Sequence, residues 1–142
     1  MLNKIDIRLG TKEEKEKLLQ DYPHVKNVIF DGGYFIVAKT EDSVVGFLWA
    51  FKREIPAPLE KSEIFINVIE VIHTDLRCQG IASKMLNEII KIAKEENVYQ
   101  IRAYCDINNV SSHHLWLKNK FSISPSKMPD GSIAGSFVSY VL

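Results

Sequence analysis

The sequence predicts an α/β fold of the α+β kind. It should hold a mixed, mostly antiparallel sheet of six to seven strands, a parallel pair at its centre and helices on both faces. Three observations carry this. A long β-branched run at residues 64–72 is followed by a helical period over 81–96 and by an alternating run at 98–106. A strand–helix–strand crossover of that kind makes its two strands parallel. Two runs rich in strand formers, 34–40 and 44–52, are joined by Glu41-Asp42-Ser43, which reads as a hairpin. Finally, 142 residues with 46% apolar and 25% charged residues have the balance of one globular domain, residues 1–142, able to build a core without staples.

The elements follow in order. Ile5, Ile7 and Leu9 alternate with polar residues and form a first strand. Thr11 caps a helix, with Glu14 three residues on as its capping-box partner. That helix runs through Leu18 and Leu19 and stops near Pro23; residues 24–30 suit a second short helix, and Asp31-Gly32-Gly33 a turn. After the hairpin, Pro56 and Pro58 make 55–61 a loop. In the helix over 81–96, Ile81, Met85, Ile89, Ile92 and Ala93 share one face, and Asn97 ends it. In the run 98–106, Ile101, Ala103 and Cys105 share one face and Arg102, Tyr104 and Asp106 the other. Asn109 caps a helix reaching about Asn119; Phe121 starts a strand, 125–131 is a loop, and 134–142 is a terminal strand.

Composition excludes several functions. Eighteen basic residues cancel eighteen acidic ones, so no electrostatic footprint favours nucleic acid or an anionic membrane. No run approaches 18 apolar residues, so none spans a bilayer, and the N-terminus lacks a secretory pattern. Two cysteines, Cys78 and Cys105, suit a reducing cytoplasmic setting and no disulfide scaffold. No HExxH or paired CxxC spacing occurs, so no metal is expected. Neither GxxxxGK[ST] nor GxGxxG is present, which argues against a P-loop nucleotidase or a Rossmann dehydrogenase.

The informative segment is Arg77-Cys78-Gln79-Gly80-Ile81-Ala82, between the buried strand and the long amphipathic helix. The first turn of a helix has unpaired N–H groups and a dipole that favours an anion, so a phosphate fits there. Gly80 has no Cβ and allows close backbone approach, Ala82 keeps the next position small, and Arg77 adds a charged donor. The same six residues also describe an ordinary strand-to-helix turn with a surface arginine.

This segment resembles the acetyl-CoA loop of the GCN5-related N-acetyltransferases: Arg or Gln, two residues, Gly, one residue, then Gly or Ala. A second family signature, Asn-x-x-Ala-x-x-Leu-Tyr-x-x-x-Gly-Phe, is matched by Asn109, Leu115 and Phe121, with Ser112 as a small replacement. Two departures stand out. The family's Val-x-Pro before the loop is Ile72-His73-Thr74, and the signature Tyr is Trp116. The two signatures have the family's separation, and the element order resembles the family's over nearly the whole chain.

The resemblance implies the acyl-CoA N-acyltransferase fold, with the parallel pair splayed, and acetyl-CoA as co-substrate. Backbone amides of Cys78, Gln79, Gly80, Ile81, Ala82 and Ser83 would wrap the pyrophosphate, with Arg77 beside them. Backbone groups at Glu70, Val71 and Ile72 would grip the pantetheine arm, and an N–H near Ile72 would polarise the thioester carbonyl. Asn109 and Trp116 would border the arm, Asn109 also serving as helix cap. The family transfers acetyl directly, so Cys78 is not expected to act as nucleophile.

Direct transfer needs a base for the amine and is helped by an acid for the leaving thiolate. An indole cannot supply that acid, so Trp116 leaves the role to another group or to water. Glu70 is the candidate base, against a reading as a solvent-facing strand carboxylate. Tyr104 is the candidate acid or acceptor-pocket wall, against simple packing. His73 is a weaker candidate, and His113 and His114 are read as sitting on a helix surface or lining the cofactor's edge. The acceptor would be an amine, a small molecule in preference to a peptide; neither nucleic acid nor membrane is expected as partner. Family members often dimerise, which leaves room for a homodimer. The alternative to an N-acetyltransferase is a non-catalytic acetyl-CoA-binding sensor or partner module, suggested by Trp116.

Overall fold

The protein is described here by a computed structural model covering residues 4–142 except 28, 30, 31, 42, 78 and 107. Asp31 and Asp42, both assigned to turns, therefore lie outside the described residues. The elements are β1 (Asp6–Leu9), α1 (Lys12–Asp21), β2 (Tyr34–Lys39), β3 (Val44–Ile55), β4 (Lys61–Val71), α2 (Ile81–Glu95), β5 (Gln100–Asp106), α3 (Val110–Lys118), β6 (Ser122–Lys127) and β7 (Ile133–Val141). They form one seven-stranded sheet in the order β1-β2-β3-β4-β5-β7-β6. The β4–β5 pair is parallel, with rungs from Glu63↔Gln100 to Ile66↔Ala103, while β1–β2, β2–β3, β5–β7 and β6–β7 are antiparallel.

Two expectations need correction. Residues 125–131 do not form a loop throughout, because β6 continues through Pro125 to Lys127. The sheet order explains this: β6 is an edge strand, where a residue without an N–H need not break a ladder. The second short helix over 24–30 is a single 3₁₀ turn, Pro23–Asn27. A proline suits the first position of such a turn, and short runs are the usual extent of 3₁₀ structure. Elsewhere the boundaries agree to within a few residues. Asn97 ends α2 with φ of 56°, a left-handed conformation that asparagine tolerates.

The chain packs as two compact units, residues 1–51 with 67–92, and residues 52–66 with 93–142. In the first, Leu18 of α1 and Val25 bury against Phe35, Val37, Phe47 and Trp49 of the sheet. Each such side chain contributes roughly 1.5–3 kcal/mol. In α2, Ile81, Met85, Leu86 and Ile89 are buried. Gly46 makes room there: a Cβ on it would lie 3.3 Å from the Met85 methyl. In the second unit, Ile101, Ala103 and Cys105 of β5 are buried together with Val138, Trp116 and Phe121. The Phe121 ring bridges Trp116 at 4.9 Å and Tyr140 at 5.4 Å between centroids. Glu63 is 3% exposed in this unit. It accepts from Gln100 Nε2 at 2.7 Å and from Arg53 Nε, and the Arg53 guanidinium lies 4.2 Å above the Phe65 ring.

The start of α1 is an electrostatic knot. The Thr11 hydroxyl accepts from Glu14 N–H at 3.1 Å, and the Glu14 carboxylate accepts from Thr11 N–H at 2.9 Å. The same carboxylate takes both Arg8 terminal nitrogens at 2.8 Å, with Lys39 at 3.2 Å. The Arg8 guanidinium, more than burial opposes it, holds the Glu14 carboxyl well below its usual 4.5. A carboxyl depressed in the fold gives stability that is present above its unfolded value and lost as the pH falls towards the folded one. Glu14→Gln should therefore cost about 1–2 kcal/mol at pH 7. The difference from the parent should shrink below about pH 4. Urea unfolding of both proteins at pH 7 and pH 3 measures this; an unchanged difference at the two pH values would contradict it.

Candidate active site

The sequence-predicted residues fall in both units, and each group is described within its own. In the first unit, β4 ends at Val71 and a 3₁₀ turn, Thr74–Leu76, leads to α2. Two side chains tie this connection to its own backbone. Arg77 Nε donates to the Val71 carbonyl at 3.1 Å, and Gln79 Nε2 donates to the Asp75 carbonyl at 2.9 Å. Gly80 has φ of 82°, which only glycine adopts without strain, and a Cβ there would face open space. The Lys84 N–H donates to the Gly80 carbonyl at 3.0 Å. The amides of Ile81 and Ala82 thus precede the first intrahelical bond, and the helix dipole adds positive potential.

This geometry fits a pyrophosphate: a braced loop, a left-handed glycine with room in front of it, and leading amides. The Arg77 side chain is exposed, and among the described residues only its Nε is engaged with the chain. Cys78, assigned to the same loop, lies outside the described residues. Gln79 matters here through its backbone, since its side chain is spent on bracing.

The Ile72 N–H donates to the Val45 carbonyl at 2.8 Å, so that amide belongs to the sheet. Glu70, two residues earlier, has a side chain 34% exposed. His24 Nε2 lies 3.7 Å from a Glu70 carboxylate oxygen, with the Tyr22 ring edge-on to the imidazole at 6.2 Å. The histidine was not among the sequence candidates. It sits 46 residues away in the chain, and nothing in local periodicity links it to β4.

In the second unit, Asn109 caps α3, its side-chain oxygen accepting from Ser112 N–H at 3.1 Å. Among the described residues its amide nitrogen has no partner. Trp116 is buried, packed on Phe121, and its indole N–H finds no acceptor in hydrogen-bond geometry among the described residues. The Cys105 sulfur still feels that N–H. Burial pushes the Cys105 thiol up, Trp116 partly offsets this, and the Asp106 charge adds to the rise. Cys105 Sγ also lies 3.3 Å from His113 Nδ1, which contacts the Asn109 carbonyl at 2.9 Å. A buried thiol with a raised pKa is a core residue, as the alternation predicts. Tyr104 is 44% exposed, its ring edge-on to Phe137 at 5.1 Å. Its phenol lies over Gly135, where any Cβ would come within 2.5 Å of Tyr104 Oη. The need for glycine beneath the Tyr104 phenol was invisible in sequence because the two are brought together only by sheet register.

A cleft of about 490 Å³ lies at the start of β5, lined by Lys52, Glu54, Lys61, Asn97 and Tyr99 among others. It contains none of the predicted residues, and its charges are of both signs. No group of three or more potential metal ligands occurs among the described residues. None of their helices is long and apolar enough to cross a membrane.

Residues 5–121 match the model of the acetyltransferase (GNAT) family. The L-2,4-diaminobutyric acid acetyltransferase of Marinococcus halophilus is 32% identical over 101 residues, 71% of this chain; the match spans 56% of that relative's length. Arabidopsis thaliana NAA60 in complex with acetyl-CoA has the same fold, with a TM-score of 0.74 at 17% identity over 98% of this chain and 100% of its own. The ribosomal-protein-alanine N-acetyltransferase of Brucella melitensis superposes with a TM-score of 0.71 at 22% identity, covering 96% of this chain and 99% of its own. With a family model spanning most of its length and the fold to match, the chain belongs to the GNAT family of acetyltransferases.

Proposed function

We propose that this protein transfers the acetyl group of acetyl-CoA directly to a primary amine of a small-molecule acceptor. The observation that carries this is Gly80, left-handed and open at the head of α2 within the family's loop. Acetyl-CoA supplies the acetyl thioester; the chain supplies the rest. Amides of Gln79 to Ser83, with Cys78 and Arg77, hold the pyrophosphate, and Asn109 and Trp116 border the arm. Because the Ile72 N–H is engaged with β3, we assign polarisation of the thioester carbonyl to the Val71 N–H. Amides of successive residues in an extended strand point to opposite edges, which directs that of Val71 away from β3.

Glu70 takes the proton of the acceptor ammonium, directly or through water. The amine nitrogen then bonds to the acetyl carbon as the carbon–sulfur bond breaks; the departing sulfur takes a proton held at Tyr104 Oη or in water, and the second proton shed by the nitrogen goes to water or back to the phenolate, leaving a neutral amide and the CoA thiol. The burial of Trp116 supports leaving it out of this proton transfer. Tyr104→Phe should leave acetyl-CoA affinity intact and lower turnover about tenfold, less than a full general acid is worth because water can substitute. Unchanged turnover would remove Tyr104 from the chemistry.

The relative acting on L-2,4-diaminobutyric acid supports a small amino-acid acceptor over a peptide. A buried free thiol at Cys105 suits a cytoplasmic setting. The deciding experiment follows CoA release with a thiol reagent across diamino acids, polyamines, aminoglycosides and short peptides. Release stimulated by a diamino acid supports the reading. Binding of acetyl-CoA with no stimulation by any amine would favour a non-catalytic acetyl-CoA-binding module.

A further inference from the structure

One face of the second unit carries a cation that has no counter-charge among the described residues. Residues paired across a sheet share a face, and successive residues alternate between faces. Arg102 opposite Ser139, Tyr104 opposite Phe137 and Asp106 opposite Gly135 therefore line one side. The Arg102 guanidinium carbon lies 5.0 Å from the Phe137 ring centroid, and Phe137 is the ring that meets Tyr104. In the parallel rungs Arg102 pairs with Phe65, the ring beneath Arg53.

The two arginines differ in one respect. Arg53 is neutralised by buried Glu63. Arg102, half-buried, has no acidic partner among the described residues. Asp106 shares its face, but four residues along the strand is about 13 Å, and Asp106 already accepts from the Asn108 N–H at 3.2 Å. A guanidinium resting on a ring keeps its in-plane donors for a partner. Their fork matches a carboxylate in bidentate fashion. Tyr104, the proposed acid, is two residues away, about 7 Å along the strand, a span that a short diamino acid covers.

We propose that Arg102 is the specificity-determining residue of the acceptor site, pairing with the carboxylate of an amino-acid acceptor whose side-chain amine is presented beside Tyr104. This rests on the acetyltransferase reading. The probes are 2,4-diaminobutyrate and 1,3-diaminopropane, which differ by one carboxylate. With saturating acetyl-CoA, the parent protein should prefer diaminobutyrate by about ten- to a hundredfold in kcat/KM, the size of one charge-assisted pair. Arg102→Gln should collapse that ratio towards one, mainly through KM for diaminobutyrate, and Arg102→Lys should restore part of it. A parent that treats both amines alike overturns the assignment, as does Arg102→Gln lowering both to the same degree. If the parent binds acetyl-CoA but acetylates neither amine, the assignment falls and the transferase reading stands. If acetyl-CoA itself does not bind, both fall.

Discussion

Gly80→Glu is expected to abolish acetyl-CoA binding, weakening it at least about a thousandfold, or roughly 4 kcal/mol. Two terms add. The φ of 82° penalises any residue with a Cβ by roughly 1–2 kcal/mol. A carboxylate at the mouth of the loop would oppose the pyrophosphate, and a like-charge juxtaposition costs several kcal/mol. The fold should survive, because the space in front of Gly80 is open and the new side chain displaces nothing. Calorimetric titration with acetyl-CoA reads the loss, and Gly80→Ala separates its causes, since it carries the backbone strain without the charge. Retained affinity in Gly80→Glu would remove the α2 loop from the cofactor site.

The second large effect is on stability. Glu63→Ala should destabilise the protein by about 3 kcal/mol, the lower end of what removing one partner of a buried ion pair costs. The lower end applies because the Arg53 side chain is 39% exposed and recovers hydration. Gln100 Nε2 would lose its acceptor as well. With roughly 2–4 °C per kcal/mol at this chain length, the melting temperature should fall by about 6–12 °C. Glu63→Gln keeps an oxygen for only one of the two donors, which reach different carboxylate oxygens, and should cost about 2 kcal/mol. Equal losses in the two variants would show that the charge, and not the hydrogen bonds, carries the contribution.

Local rules made much of this legible. The capping box at Thr11 and Glu14 forms as its spacing requires, because both partners lie within one turn. The apolar face of α2 and the alternation of β5 follow directly from periods of 3.6 and 2. Gly80 was legible as a turn residue ahead of α2, and its φ of 82° is a conformation glycine adopts freely. Features that depend on distant partners were hidden. The burial of Glu63 is one: it rests on Arg53, ten residues away, and on Gln100, 37 residues away.

By itself, then, the sequence determined the kinds of element, their order and the family, because each rests on residues close along the chain. Only the tertiary structure decided that β7 lies between β5 and β6. That insertion sets Phe137 beside Tyr104, Gly135 beneath the phenol and Arg102 against the Phe137 ring. Long-range strand pairing leaves no mark in periodicity, since any strand with the right alternation fits either neighbour; the choice is made by the packing of the whole sheet.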